Sequence, residues 1–317
     1  MEFVTVADGV RLHVESHGPS DPTVTVPRAT VVLVHGWTLS NQTWTKVIPH
    51  LEDVGDVRIV TYDHRGHGKS DPVTEGAGSI EQMARDLTVV LEKICPEGPV
   101  VLVGHSLGGM TLLALVDQEP ELVGERVVGL VLVNTSAGGR KGVNNGIPLG
   151  QTNWGRALVR RGLTIDAKRR TSPKRIDKAQ DRPGRPRTAL MKWLLCGKDA
   201  APQDVALGMK MVHDTPPGSF PAFLNTFLEH NRLAALDHLQ DLPVTILSGA
   251  KDRLTPPAES VEMSRRIPHA RLRVFPLAGH MLPLERAQEV SAEIIEMLNR
   301  IPVAAGHEIA SGHGVKS

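Results

Sequence analysis

Aromatic side chains are scarce in this chain: five Phe, four Trp and one Tyr make up 3% of its 317 residues. That is too few for a platform on which nucleic-acid bases stack. A net charge of +1 also differs from that of a dedicated nucleic-acid binder, so nucleic acid is not an expected partner. Cysteine is nearly absent. Cys95 and Cys196 make neither a disulfide framework nor a metal-binding pattern, which points to a reduced, cytoplasmic setting. No run approaches the ~18 apolar residues that a membrane span needs. The opening stretch, Met1 to Val10, lacks the basic-then-apolar order of a signal peptide, so none is expected.

What is present is ordinary for a globular protein: 40% apolar and 22% charged residues, against the low hydrophobicity of disordered chains. The length corresponds to about one or two domains at ~150 residues each. The near-zero net charge conceals a split. Between Arg140 and Arg187 stand fourteen basic residues (four Lys, ten Arg) and three acids, Asp166, Asp177 and Asp181, a local charge of +11. The remainder of the chain carries −10. Such an asymmetry marks a distinct segment.

Along the chain, residues 3–6 and 10–15 alternate about the turn Asp8-Gly9 and read as a β-hairpin. Val31–Val34 is a continuous β-branched run, as in a strand buried on both faces. Val57–Tyr62, Val100–Val103, Gly129–Val133, Val244–Leu247 and Leu272–Phe275 share that character. Helical patterns lie between them. One runs over Ser79–Ile94 with Ser79 as N-cap and Gln82 three residues on; another over Leu107–Asp117; an amphipathic one over Leu284–Leu298. This alternation predicts an α/β fold: a mainly parallel, eight-stranded sheet with helices on both faces.

The alternation stops between about Ala137 and Leu236. That stretch holds the basic run, several prolines and helical patterns near 154–161, 187–196, 202–213 and 220–230. It reads as a helical insertion placed before the last two strands. The expected division is therefore a core of residues 1–136 and 237–300, an inserted segment of 137–236, and a frayed tail of 301–317.

Gly104-His105-Ser106-Leu107-Gly108 follows a buried strand and opens a helix. A serine on so tight a turn has a strained backbone, and the glycines at 104, 108 and 109 relieve crowding around it. The hydroxyl is then held out at the carboxyl end of the sheet, where the helix N-terminus also directs N–H groups. A serine hydroxyl is a weak nucleophile; it needs a base, and the base needs an orienting carboxylate. Asp252 falls just past the Val244–Leu247 strand and His280 just past Leu272–Phe275. Taken singly, a loop Asp is ordinarily a cap and a lone His is ordinarily solvated. The order Ser106, Asp252, His280 at successive strand ends is what carries the reading. For an oxyanion, the expected donors are the backbone N–H groups of Leu107 and of Trp37, in the loop His35-Gly36-Trp37-Thr38.

These motifs, with Asp63-His64-Arg65-Gly66-His67-Gly68-Lys69-Ser70, Gly249-Ala250-Lys251-Asp252 and Gly279-His280, make the chain resemble the α/β-hydrolase superfamily over most of its length. The resemblance implies a serine hydrolase of the esterase or lipase branch that needs no cofactor or metal. A small-molecule ester is the expected substrate. Thioester, lactone, acyl-transfer, perhydrolase and C–C bond chemistry on the same residues stay open. It implies that Asp63, Arg65 and Ser70 form a structural turn and that His64 and His67 are not metal ligands. Epoxide hydrolases and haloalkane dehalogenases are similar but carry an aspartate where Ser106 stands. By the same resemblance the insertion is a cap over the site.

Trp37, Met110, Trp154, Trp193, Phe223, Phe227 and Met281 are the candidate substrate-pocket residues. The cap aromatics, with Phe220, have two readings, a pocket lining or the cap's own small core. The basic run has three: a solvated surface, a patch attracting an anionic substrate, or contact with an anionic membrane or protein.

Overall fold

In the computed structural model, residues 2–19, 21, 23, 24, 26–73, 78–138 and 185–301 are described. Eight strands form one sheet: β1 (Glu2–Thr5), β2 (Arg11–His17), β3 (Ala29–Val34), β4 (Val57–Tyr62), β5 (Val100–His105), β6 (Val127–Val133), β7 (Val244–Gly249) and β8 (Arg271–Phe275). Their order across the sheet is β1-β2-β4-β3-β5-β6-β7-β8. β1, β2 and β4 pair antiparallel, and every pairing from β4 to β8 is parallel.

The β-branched runs dictate this arrangement. β3, β5 and β7 are buried along their whole length, and alternate residues serve opposite faces. Val32 and Val34 belong to one core with the helices α2 (Ile80–Ile94) and α3 (Leu107–Gln118). Val31 and Leu33 belong to the other with α1 (Ile48–Glu52) and the last helix. Both faces are therefore covered, as a parallel sheet requires.

Among the described residues, the inserted stretch holds the helices α4 (Arg185–Leu195), α5 (Pro202–Asp214) and α6 (Ser219–Glu229), and they precede β7. After β7 come α7 (Pro257–Arg266), then β8, α8 (Leu282–Glu285) and α9 (Ala287–Arg300). Leu195, Cys196, Met211 and Val212 from α4, α5 and the turn after α4 pack with Leu39, Met281 and Leu284 in a third apolar cluster. The inserted stretch is thus seated on the strand ends by apolar burial.

Four details differ from the sequence reading. Leu272–Phe275 reads as a strand buried on both faces, yet β8 is mostly exposed, with Val274 41% accessible. It is the edge of the sheet, and Arg271 and Arg273 cover it by pairing with the buried Glu293 of α9. The pattern over 284–298 reads as one helix, but Arg286, at φ −140°, breaks it into α8 and α9. The Ser79 hydroxyl does cap α2, accepting the Gln82 N–H at 3.1 Å. The Gln82 amide, however, turns to Asp86 and Arg85 instead of back to the cap. Helix α7 was not foreseen, although Pro257 at its first turn and Arg265-Arg266 at its last are ordinary start and stop signals.

Candidate active site

Ser106 sits between β5 and α3 with φ 53° and ψ −116°, a left-handed backbone that a non-glycine residue rarely adopts. Its neighbours hold it there. The Ser106 N–H donates to the Val133 carbonyl at 2.9 Å, and the Thr135 hydroxyl donates to the Ser106 carbonyl at 2.7 Å. Three glycines make the close approach possible. A Cβ on Gly104 would lie 2.6 Å from the Gly109 backbone, one on Gly109 would lie 2.6 Å from Thr135, and one on Gly108 would overlap the Val34 carbonyl oxygen.

On one side of Ser106 lies the loop after β3. A Cβ on Gly36 would come within 3.1 Å of both the Ser106 Cβ and the His105 ring, so this loop is pressed against the elbow, with Trp37 next in line. Leu107 is the first residue of α3, and the N–H groups of a helix's first turn have no intrahelical acceptor. Both predicted oxyanion donors therefore stand on segments that border Ser106.

The other side carries Asp252 and His280. The His280 Nδ1 lies 2.8 Å from the Asp252 Oδ2, and both side chains are buried. Asp252 is itself held: its Oδ1 accepts the N–H groups of Leu254 (2.8 Å) and Thr255 (3.0 Å). The Thr255 hydroxyl lies 2.8 Å from the Asp252 Oδ2 and also 2.8 Å from the Asn134 carbonyl. A carboxylate so furnished with donors is fixed in orientation, and the imidazole follows it.

Asn134, at the end of β6, is a residue that sequence reasoning passed over because it is not a carboxylate. It is fully buried at φ 44°, a left-handed conformation that Asn tolerates better than most residues. Its amide donates to the Gly279 and His280 carbonyls at 2.8 and 2.9 Å, while its carbonyl oxygen accepts the Gly249 N–H at 2.7 Å. One side chain thus ties the loop after β7 to the loop after β8. His105 adds a second tie, with its Nε2–H donating to the His280 carbonyl at 2.8 Å. Burial, with the nearby His280 next, holds the His105 imidazole well below the ordinary histidine value, so it is neutral at pH 7.

The Asp63–Ser70 segment is a knot beneath the β3 loop. Asp63 accepts from Asn41 N (2.7 Å), Lys69 N (3.0 Å) and the His13 ring (3.0 Å). Burial raises its carboxyl, and those hydrogen bonds and the neighbouring His35 outweigh it, leaving it lowered. Arg65 is buried between Asp86 and Asp8. His64 Nε2 reaches the His35 carbonyl at 3.1 Å and His67 Nδ1 the Arg65 carbonyl at 2.9 Å. The two rings are spent on backbone groups in the interior. Among the described residues no three His, Cys, Asp or Glu side chains are grouped to hold a metal ion.

The pocket candidates separate. The rings of Trp37 and Phe227 meet with centroids 4.8 Å apart. Met110 is the fourth residue of α3, and Met281 directly follows His280 and faces Gly208 of α5. Phe223 and Trp193 are placed otherwise than a lining needs. Phe223 is fully buried against the His67 ring and Gly78, where it packs α6 onto the Asp63–Ser70 segment. Trp193 is 56% exposed, with the Arg253 guanidinium 4.4 Å above its ring. Trp154 and the basic run up to 184 lie outside the described residues, as does the side chain of Phe220.

A family model described as the alpha/beta hydrolase fold matches residues 29–287. The chain belongs to the α/β-hydrolase fold family. A thermophilic esterase from Thermogutta terrifontis, solved with malate bound, superposes on this α/β hydrolase with a TM-score of 0.72. It shares 26% identity, covering 94% of this chain and 98% of that one. A bifunctional esterase/perhydrolase from Acinetobacter calcoaceticus is 36% identical over 109 residues, 34% of this chain and 36% of that enzyme. A non-heme haloperoxidase from Rhodococcus erythropolis is 25% identical over 94% of this chain and 99% of its own length. Several curated relatives are matched over only 36–45% of their length. Among the described residues no helix is long and apolar enough to cross a membrane.

Proposed function

We propose that this α/β hydrolase is a serine esterase acting on a small-molecule carboxylic ester through an acyl-enzyme on Ser106. The observation that carries the reading is the 2.8 Å His280–Asp252 hydrogen bond, set in the same cluster of strand-end loops as a serine with a left-handed backbone. Ser106 Oγ attacks the carbonyl carbon, and its proton passes to His280 Nε2. Asp252 accepts the Nδ1–H and stabilises the imidazolium that forms. The N–H groups of Trp37 and Leu107 receive the oxyanion. His280 then gives its proton to the departing alkoxide. Water, activated by His280 in turn, attacks the acyl group and releases the acid and Ser106. The stretch 137–236 acts as the cap, and Trp37, Phe227, Met110 and Met281 contribute apolar wall.

The names of two relatives favour one second reading. Attack of hydrogen peroxide instead of water on the same acyl-enzyme would release a peracid, and one relative is named an esterase/perhydrolase and another a haloperoxidase. A cytoplasmic setting accords with two buried free thiols, Cys95 and Cys196, whose burial pushes them up to about 11 and about 12 and so keeps them protonated and unreactive.

Stopped-flow hydrolysis of p-nitrophenyl acetate and butyrate tests the reading. The expected result is turnover preceded by a burst of p-nitrophenolate equal to the enzyme present. A folded protein that releases none from either ester contradicts it. Peracid formed in excess of acid when peroxide is added would favour the second reading.

A further inference from the structure

His280 is gripped from the cap as well as from the core. The Leu195 carbonyl, at the end of α4, accepts the N–H groups of both His280 (2.8 Å) and Met281 (3.0 Å). Immediately beyond it, the Gly197 N–H donates to the Glu285 Oε2 at 2.8 Å. The Gly279 N–H, one residue before His280, reaches the same carboxylate at 3.0 and 3.2 Å. The two backbones are in contact there: a Cβ on Gly279 would overlap Cys196 and Gly197, and one on Gly197 would overlap the Leu277 carbonyl. A side chain is excluded at Gly197 and at Gly279, and beside the Leu195 carbonyl it is the Glu285 carboxylate that bridges the two segments.

We propose that Glu285 is a positioning residue that couples the seating of the cap to the placement of His280 by receiving Gly197 N–H from the cap and Gly279 N–H from the histidine loop. This rests on the reading of Ser106, His280 and Asp252 above. Glu285 stands five residues after His280, at the end of the single turn α8, and does not touch the reacting atoms. Its action is through the loop. Without the carboxylate, two backbone donors in a close-packed junction lose their acceptor, while the core ties from Asn134 and His105 remain. The break between α8 and α9 at Arg286 lets Glu285 turn back toward Gly279. A continuous helix would not require that break.

The test uses the full chain and a signal independent of turnover. The Nδ1 proton shared by His280 and Asp252 gives a low-field proton resonance, assigned by its disappearance in His280→Gln. In Glu285→Ala this resonance is expected to shift or broaden away. The kcat for p-nitrophenyl esters is expected to fall about 10-fold or more, with KM held within about twofold. Glu285→Gln retains one acceptor for the two donors and is expected to fall between wild type and alanine in both readouts. Should the alanine variant fail to fold, the glutamine variant is read alone, and its resonance must move. A folded variant whose low-field resonance and kcat both match wild type overturns the inference. Absence of ester turnover in the wild type would instead strike the esterase reading, since the resonance reports the loop whether or not esters are cleaved.

Discussion

Replacing Ser106 by alanine is expected to lower kcat for ester hydrolysis by roughly 10⁶-fold, and adding His280→Ala is expected to cost almost nothing more. The reason is that the three side chains are proposed to act as one unit. Without its base, Ser106 is an unactivated alcohol; without the serine, His280 has no proton to take. Asp252→Asn should cost about 10⁴-fold, because an amide in place of the Oδ2 acceptor no longer fixes the His280 tautomer. The two Asp252 Oδ1 contacts to Leu254 and Thr255 N–H can survive that change if the amide oxygen takes that place, so the variant should remain folded. Single-turnover kinetics on the single and double variants checks this. Losses that multiply, with the double variant far below either single one, would show that the residues act separately.

Lowering the pH below about 6.5 is expected to destabilise the fold steeply. Burial holds His35, His64, His67, His105 and His230 below the ordinary histidine value, His67 down to about 3 and His230 to about 4. Above pH 6.5 each is neutral folded and unfolded, and contributes nothing to the pH dependence. Below it the unfolded chain takes up protons that the native interior refuses, so stability falls with pH. At one pH unit below the free value, a histidine kept wholly neutral in the native state costs at most about 1.4 kcal/mol. Several acting together draw on an appreciable part of the ~5–15 kcal/mol that holds a typical domain. Glu285 runs the other way, since burial raises its carboxyl and the native state binds its proton first. It is one group against five. The thermal unfolding midpoint should be nearly level from pH 7 to 8 and drop sharply between 6.5 and 5. A midpoint unchanged down to pH 5 contradicts this picture.

Much of this was legible beforehand, for identifiable reasons. Six strands announce themselves as apolar, largely β-branched runs, and the antiparallel β1 and β2 as an alternating hairpin about Asp8-Gly9. The elbow was legible because its glycines are forced by backbone contact: Gly108 lies against Val34, and Gly104 against Gly109. What escaped depended on tertiary context. β8 was half legible: Arg271 and Arg273 alternate with Leu272 and Val274, a local sign of exposure, but that both arginines pair with the buried Glu293 of α9 is visible only in the fold. Asn134 carries no chemistry of its own, and its importance arises only when two loops more than a hundred residues further on meet its amide. Phe223 and Trp193 look alike as aromatics of the inserted stretch, yet one is buried against His67 and the other lies exposed under Arg253. The Leu284–Leu298 period is correct for α9 but cannot register that Glu285 is needed behind the His280 loop.

The central claim is that the Ser106 hydroxyl is the group that becomes acylated. Its most direct measurement is intact-protein and peptide mass spectrometry after exposure to a fluorophosphonate. The expected result is a single phosphonyl adduct carried by the peptide containing Ser106, absent in Ser106→Ala and blocked by prior incubation with a slowly turned-over ester. A folded protein that takes no adduct, or that takes it on another residue, would contradict the account.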